Sequence, residues 1–188
     1  MRDIFHEVHL TVKHQDTFEE DCKSLNVKPI IINMGSSIPT HSMTSSTYKN
    51  NSDAEVYTKA LNLKNKLEEL GYEVQRLKIE TVPWHAQGYN PKSDQYFEAH
   101  FAVEGDISTE DLKRLNLHKS KNLLKKNESL VQMLTYRLFN SDSLLFNMKI
   151  DSLITKLEYL NVTVLKTIRE FAIYDSNISL DDQWLAIC

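Results

Sequence analysis

Phe5-His6-Glu7-Val8-His9-Leu10-Thr11-Val12 returns later in the chain as Tyr96-Phe97-Glu98-Ala99-His100-Phe101-Ala102-Val103. Both copies read aromatic, any residue, Glu, small apolar, His, apolar, any residue, Val. Side chains of a strand alternate between its faces, so Glu7, His9 and Thr11 share one face and Val8, Leu10 and Val12 the other. Glu98 and His100 take the matching face in the second copy.

The repetition runs on beyond these strands. His9 and His100 are 91 residues apart, as are Thr44 and Thr135. The apolar stripe Val56, Ala60, Leu63, Leu67, Leu70 has helical spacing and recurs as Phe146, Ile150, Leu153, Leu157, Leu160 at a shift of 90. Glu80 and Glu170 are also 90 apart. One single-residue indel accounts for both shifts. The chain therefore reads as α+β, with two internally duplicated ferredoxin-like halves (β-α-β-β-α-β) related by a pseudo-twofold.

The first half spans residues 1–81. Strands are expected at Phe5–Lys13, Lys28–Asn33, His41–Thr47 and Glu73–Glu80. A short helix follows Asp16 or Thr17, and a long one runs from Asp53 to Leu70, stopped by Gly71. Residues 82–94, with Pro83, Gly88 and Pro91, are the linker. The second half, 95–188, repeats the plan. Its stretch 116–129 reads as irregular or as a weak edge strand, and its lysines as a solvated loop. The tail from Asp175 is expected to pack back through Leu180, Trp184 and Leu185. Asp175-Ser176-Asn177, Met43-Thr44-Ser45-Ser46 and Lys78-Ile79-Glu80 look like signature peptides.

Composition narrows the function classes. Of 188 residues, 41% are hydrophobic and 26% charged, with a formal charge of −4. That balance suits a globular chain and argues against one that coats DNA. No apolar run reaches the length of a membrane span. Cys22 and Cys188 suggest no disulfide framework, and the first strand begins near Met1, so a reducing, cytoplasmic setting is expected. His14, His41, His85 and His118 fall in loops or at strand ends and read as surface residues.

Alternation in Glu73–Glu80 puts Arg76, Lys78 and Glu80 on one face. If Leu77 and Ile79 meet the helices, the charged set shares the open sheet face with Glu7 and His9. Glu98, His100, Thr135, Arg137 and Glu170 would gather likewise in the second half. The expected site is a cleft between two lobes. His9 and His100, with Glu7 and Glu98, are its candidate acid/base groups. Thr11, Thr44 and Thr135 would donate hydroxyls, and Arg76, Lys78 and Arg137 would hold anionic oxygen of a small ligand or nucleotide.

Two families resemble parts of this pattern. His9-Leu10-Thr11-Val12 is similar to the His-apolar-Thr/Ser-apolar motif of the two-histidine phosphoesterases. The second copy, His100-Phe101-Ala102-Val103, has Ala102 in the hydroxyl position. The resemblance implies a hydrolase of phosphate esters or nucleotides that needs no cofactor. The order His9, Glu80, His100, Glu170 resembles the ligand order of vicinal-oxygen-chelate, glyoxalase-like proteins. That resemblance implies one divalent metal held by two His and two Glu. A non-catalytic ligand-binding or assembly module is the third reading.

Overall fold

In the computed structural model, residues 4–32, 41–86, 94–126, 129–183 and 185–186 are described. The elements in chain order are β1 (Phe5–Lys13), α1 (Phe18–Ser24), β2 (Lys28–Ile32), β3 (His41–Lys49), α2 (Asp53–Glu69) and β4 (Val74–Thr81). A 3₁₀ turn, Pro83–Ala86, precedes β5 (Tyr96–Glu104), α3 (Thr109–Leu115), β6 (His118–Lys126), β7 (Ser129–Phe139), α4 (Ser143–Tyr159) and β8 (Thr163–Asp175). A second 3₁₀ turn, Ile178–Gln183, leads to the short β9 (Leu185–Ala186). The fold class is α+β.

The chain divides into two compact units, residues 1–82 with 172–178, and residues 83–171 with 179–188. Strand β8 thus gives its last residues to the first unit and the rest to the second. The sequence alone kept residues 172–178 with the second half.

In the first unit the strand order is β2-β3-β1-β4, with the end of β8 next to β4. β1 pairs antiparallel with both β3 and β4. The apolar side of β1 (Val8, Leu10, Val12) packs with Val56, Ala60, Leu63 and Leu67 of α2 and with Phe18 and Cys22 of α1 in one buried cluster. These are the alternate strand positions and the helical stripe read from the sequence.

Helix α2 starts with a capping box. Ser52 Oγ accepts from Glu55 N, and the Glu55 carboxylate accepts from Ser52 N. Those bonds hold the Glu55 carboxyl below its ordinary range. Ser52→Ala should lower stability by about 1 kcal/mol, read as a shift of the urea midpoint without a change of slope.

Cys22 is fully buried. Burial, helped by the charges of Asp21 and Glu19, pushes its thiol up to about 11. The folded state therefore keeps the proton that the unfolded chain loses nearer the ordinary thiol value. The stabilisation is full below that ordinary value and is lost as pH rises through about 11. In a Cys188→Ser background, a thiol reagent at mildly alkaline pH should label Cys22 only as fast as the protein opens.

In the second unit the order is β8-β5-β7-β6-β9, with β5/β7, β6/β7 and β6/β9 antiparallel. Phe97 is its anchor, stacked on Phe146 of α4 at 5.0 Å and tilted against Phe171 of β8 at 4.8 Å. Asp142 caps α4 by accepting from Leu145 N. Of the two readings of 116–129, the strand holds: β6 pairs with β7 on one side and with the short β9 on the other, so it is not an edge strand along its whole length. Of the tail residues expected to pack back, Leu180 is buried, while the side chains of Trp184 and Leu185 lie outside the described residues.

Left-handed backbone recurs at a constant interval. Asn26 and Asn116 have φ 55° and 54°, Asn50 and Asn140 56° and 49°, and Gly71 and Asn161 87° and 59°. Each pair is 90 residues apart. Asn and Gly are the residues that tolerate this region most readily, and all six sit in turns that follow a helix or strand.

No helix among the described residues is long and apolar enough to cross a membrane.

Candidate functional site

Each unit gathers a histidine, two glutamates and a hydroxyl on the sheet face away from Val8 and Phe101. In the first unit β1 supplies Glu7 and His9. Its neighbours are set by register: His9 lies opposite Ser45 of β3 and Lys78 of β4, and Glu7 opposite Glu80. His9 Nε2 is 3.5 Å from Glu7 Oε1 and 3.5 Å from Glu80 Oε2. Its Nδ1 lies 3.2 Å from the Thr44 carbonyl oxygen. Ser45 Oγ donates to Glu7 Oε1 at 2.7 Å.

In the second unit β5 supplies Glu98 and His100, opposite Arg137 and Thr135 of β7. His100 Nε2 is 3.2 Å from Glu98 Oε2 and 3.6 Å from Glu170 Oε2. Its Nδ1 is 3.0 Å from Thr135 Oγ1. Arg137 Nε donates to Glu98 Oε1 at 2.5 Å, and its guanidinium sits 5.2 Å from the centre of the Tyr96 ring. Glu98 is 1% exposed, whereas the imidazole of His100 is 30% exposed, so a ligand can reach the histidine.

The sheet face that the helices leave uncovered is largely buried. Thr11, Arg76, Lys78, Glu80 and Thr135 are all buried. The three cations expected to hold anionic oxygen are each engaged by a carboxylate. Arg76 binds Asp175 through both Nε (2.8 Å) and an Nη (2.5 Å). Lys78 Nζ is 2.6 Å from Glu80 Oε1, and Arg137 is held by Glu98. A cation buried against a carboxylate neutralises it and is a poor anion receptor until the pair opens.

Thr11 Oγ1 is buried and has no hydrogen-bond partner among the described residues. The Thr44 side chain lies on the helix side of the sheet, its Oγ1 accepting from Leu10 N at 3.3 Å. The hydroxyl on the His9 side is Ser45, which register makes the counterpart of Thr135. Sequence reasoning missed it by one residue. The signal was there: Ser45 and Thr135 are 90 apart, like Asn50 and Asn140. His41, read as a surface residue, is 5% exposed at the start of β3.

Asp175, also missed, belongs to the conspicuous Asp175-Ser176-Asn177 peptide. That peptide is tied to β4: Ser176 Oγ accepts from Leu77 N, Ser176 N donates to Leu77 O, and Asn177 Nδ2 donates to Gln75 O. Its role is to clasp the edge of the first unit and to hold Arg76.

The chemistry of the two clusters differs. Glu98, His100 and Glu170 offer three ligand atoms that all lie within 4.8 Å of one another, a distinction the Glu7/His9/Glu80 cluster lacks. A tetrahedral ion with bonds near 2.1 Å separates its ligand atoms by about 3.4 Å. The 3.2 and 3.6 Å separations at His100 Nε2 bracket that value. No family model matches the chain, and no curated protein matches it.

Proposed function

We propose that the chain is a metal-dependent hydrolase of phosphate esters or nucleotides, with Glu98, His100 and Glu170 holding one divalent ion. The observation that carries this reading is the convergence of three ligand atoms of the right types at ligand–ligand distances. Two carboxylates against the one guanidinium of Arg137 leave a net negative site. A divalent ion reverses that charge, and only then is an anionic ester attracted rather than repelled. Bound there, such an ion would supply Lewis acidity and a water acidic enough to attack near neutral pH.

The surrounding residues suit that task. In the tautomer protonated on Nδ1, His100 donates to Thr135 Oγ1, which leaves the Nε2 lone pair for the ligand side. Arg137 anchors the far oxygen of Glu98 and so fixes the orientation of the near one. Zinc, manganese or iron suits a set of one imidazole and two carboxylates. Turnover of a phosphodiester probe should appear with the ion, vanish in EDTA and return on adding metal back.

A second reading, metal-free acid/base hydrolysis by His9 and His100, is favoured by the hydroxyl beside each ring: Thr135 on His100, and Ser45 beside Glu7 and His9. It predicts full activity towards a cyclic phosphodiester in EDTA.

We also infer that the two units are duplicated ferredoxin-like halves. The orders β2-β3-β1-β4 and β6-β7-β5-β8 are equivalent, and the left-handed turns and helix caps recur at one interval.

A further inference from the structure

A cavity of about 520 Å³ lies in the first unit. Its walls are the turn after α1, the start of β2, the end of β3 and one face of α2. Three features set it apart. Lys28, Lys59 and Lys66 line it, and none of its described lining residues is acidic. Lys59, Asn62 and Lys66 follow helical spacing along α2, so they face it together. Glu55, the acid one turn before Lys59, is tied to Ser52 by two bonds.

The pairing of β2 with β3 stops at Lys28 opposite Ser45. Beyond it, Ser46, Thr47 and Tyr48 have β1 on one side and the cavity on the other. This stretch of strand edge therefore offers backbone donors to whatever enters. Ser46 Oγ is shielded from solvent and has no hydrogen-bond partner among the described residues. Such a group costs free energy unless something occupies the space before it.

We propose that this notch binds the phosphate group of a small phosphorylated molecule. Lysines on its rim supply the charge, and Ser46, Asn62 and the strand edge supply directed donors. Leu25, Leu63 and the Tyr48 ring, which Lys59 Nζ overlies at 5.0 Å, give an apolar wall for the rest of the ligand. The volume falls in the usual range for small-molecule sites, about 300–1,000 Å³. The inference does not depend on the metal reading.

The test is titration of the ¹⁵N-labelled protein with adenosine monophosphate, inorganic phosphate and adenosine. The monophosphate should shift the amides of Ser46 and Thr47, and more weakly at high salt. The Lys59→Met/Lys66→Met variant should bind at least about tenfold more weakly while melting like the parent, because both lysines are exposed. Ser46→Ala should also weaken binding. A monophosphate that binds tighter than inorganic phosphate supports a phosphorylated molecule as the ligand. Equal affinity supports the anion site with free phosphate as its source. The proposal is overturned if those amides do not move, if adenosine binds as well as its monophosphate, or if the lysine substitutions leave affinity unchanged.

Discussion

Arg76→Met should lower the stability of the protein by about 3–5 kcal/mol, the largest loss expected from a single polar substitution in the first unit. Arg76 and Asp175 are both buried, at 4% and 7% exposure, and meet in a two-point contact. Removing the guanidinium leaves a carboxylate in a poorly solvated place, and that uncompensated charge sets the cost. The length of the methionine side chain preserves most of the packing, so lost contact area is a minor part. The double variant Arg76→Met/Asp175→Asn should recover much of the loss, because no charge is then stranded. Urea unfolding of the two single variants and the double variant measures the coupling directly. If the double variant is as unstable as the sum of the singles, the pair is not the reason.

His100→Ala and Glu170→Gln should each abolish stoichiometric metal binding, and with it any hydrolytic turnover. In the proposed ligand set His100 would supply the one nitrogen, and Glu170 comes from a different strand than Glu98 and His100. Arg137→Lys should be milder, weakening metal affinity by about 10–100-fold, because the Glu98 carboxylate survives but loses the Nε contact that orients it. A melting screen with and without divalent ions separates loss of the site from loss of the fold: the variants should keep the metal-free melting temperature and lose only the increment that metal adds.

The readable parts of the sequence were those with a short period. Alternation assigned β1 and β5 and told their two faces apart. The stripe Val56, Ala60, Leu63, Leu67, Leu70 assigned α2; the first four are buried, while Leu70, at the C-cap, is 47% exposed. The residues Glu7, His9, Glu80 and Glu98, His100, Glu170 were all named from alternation, and the structure brings each trio together within its own unit.

What failed was whatever depends on distant chain. β6 is rich in lysine and polar residues, so its strand state comes from pairing with β7 rather than from its own pattern. Burial of Arg76 and Lys78 could not be read, because alternation says which residues share a face but not what covers it. The partner of Arg76 lies 99 residues away, beyond any local rule. Ser45 was passed over for Thr44 because a strand's register with its neighbour cannot be counted from its own sequence. A one-residue slip moves a side chain to the other face.

Metal content is the most direct test of the central claim. Protein purified without chelators, stripped, and titrated with zinc or manganese should bind one ion per chain in the parent and in His9→Ala, and none in His100→Ala or Glu170→Gln. A parent that binds no ion contradicts the account outright. Loss of binding in His9→Ala as well contradicts the proposed ligand set.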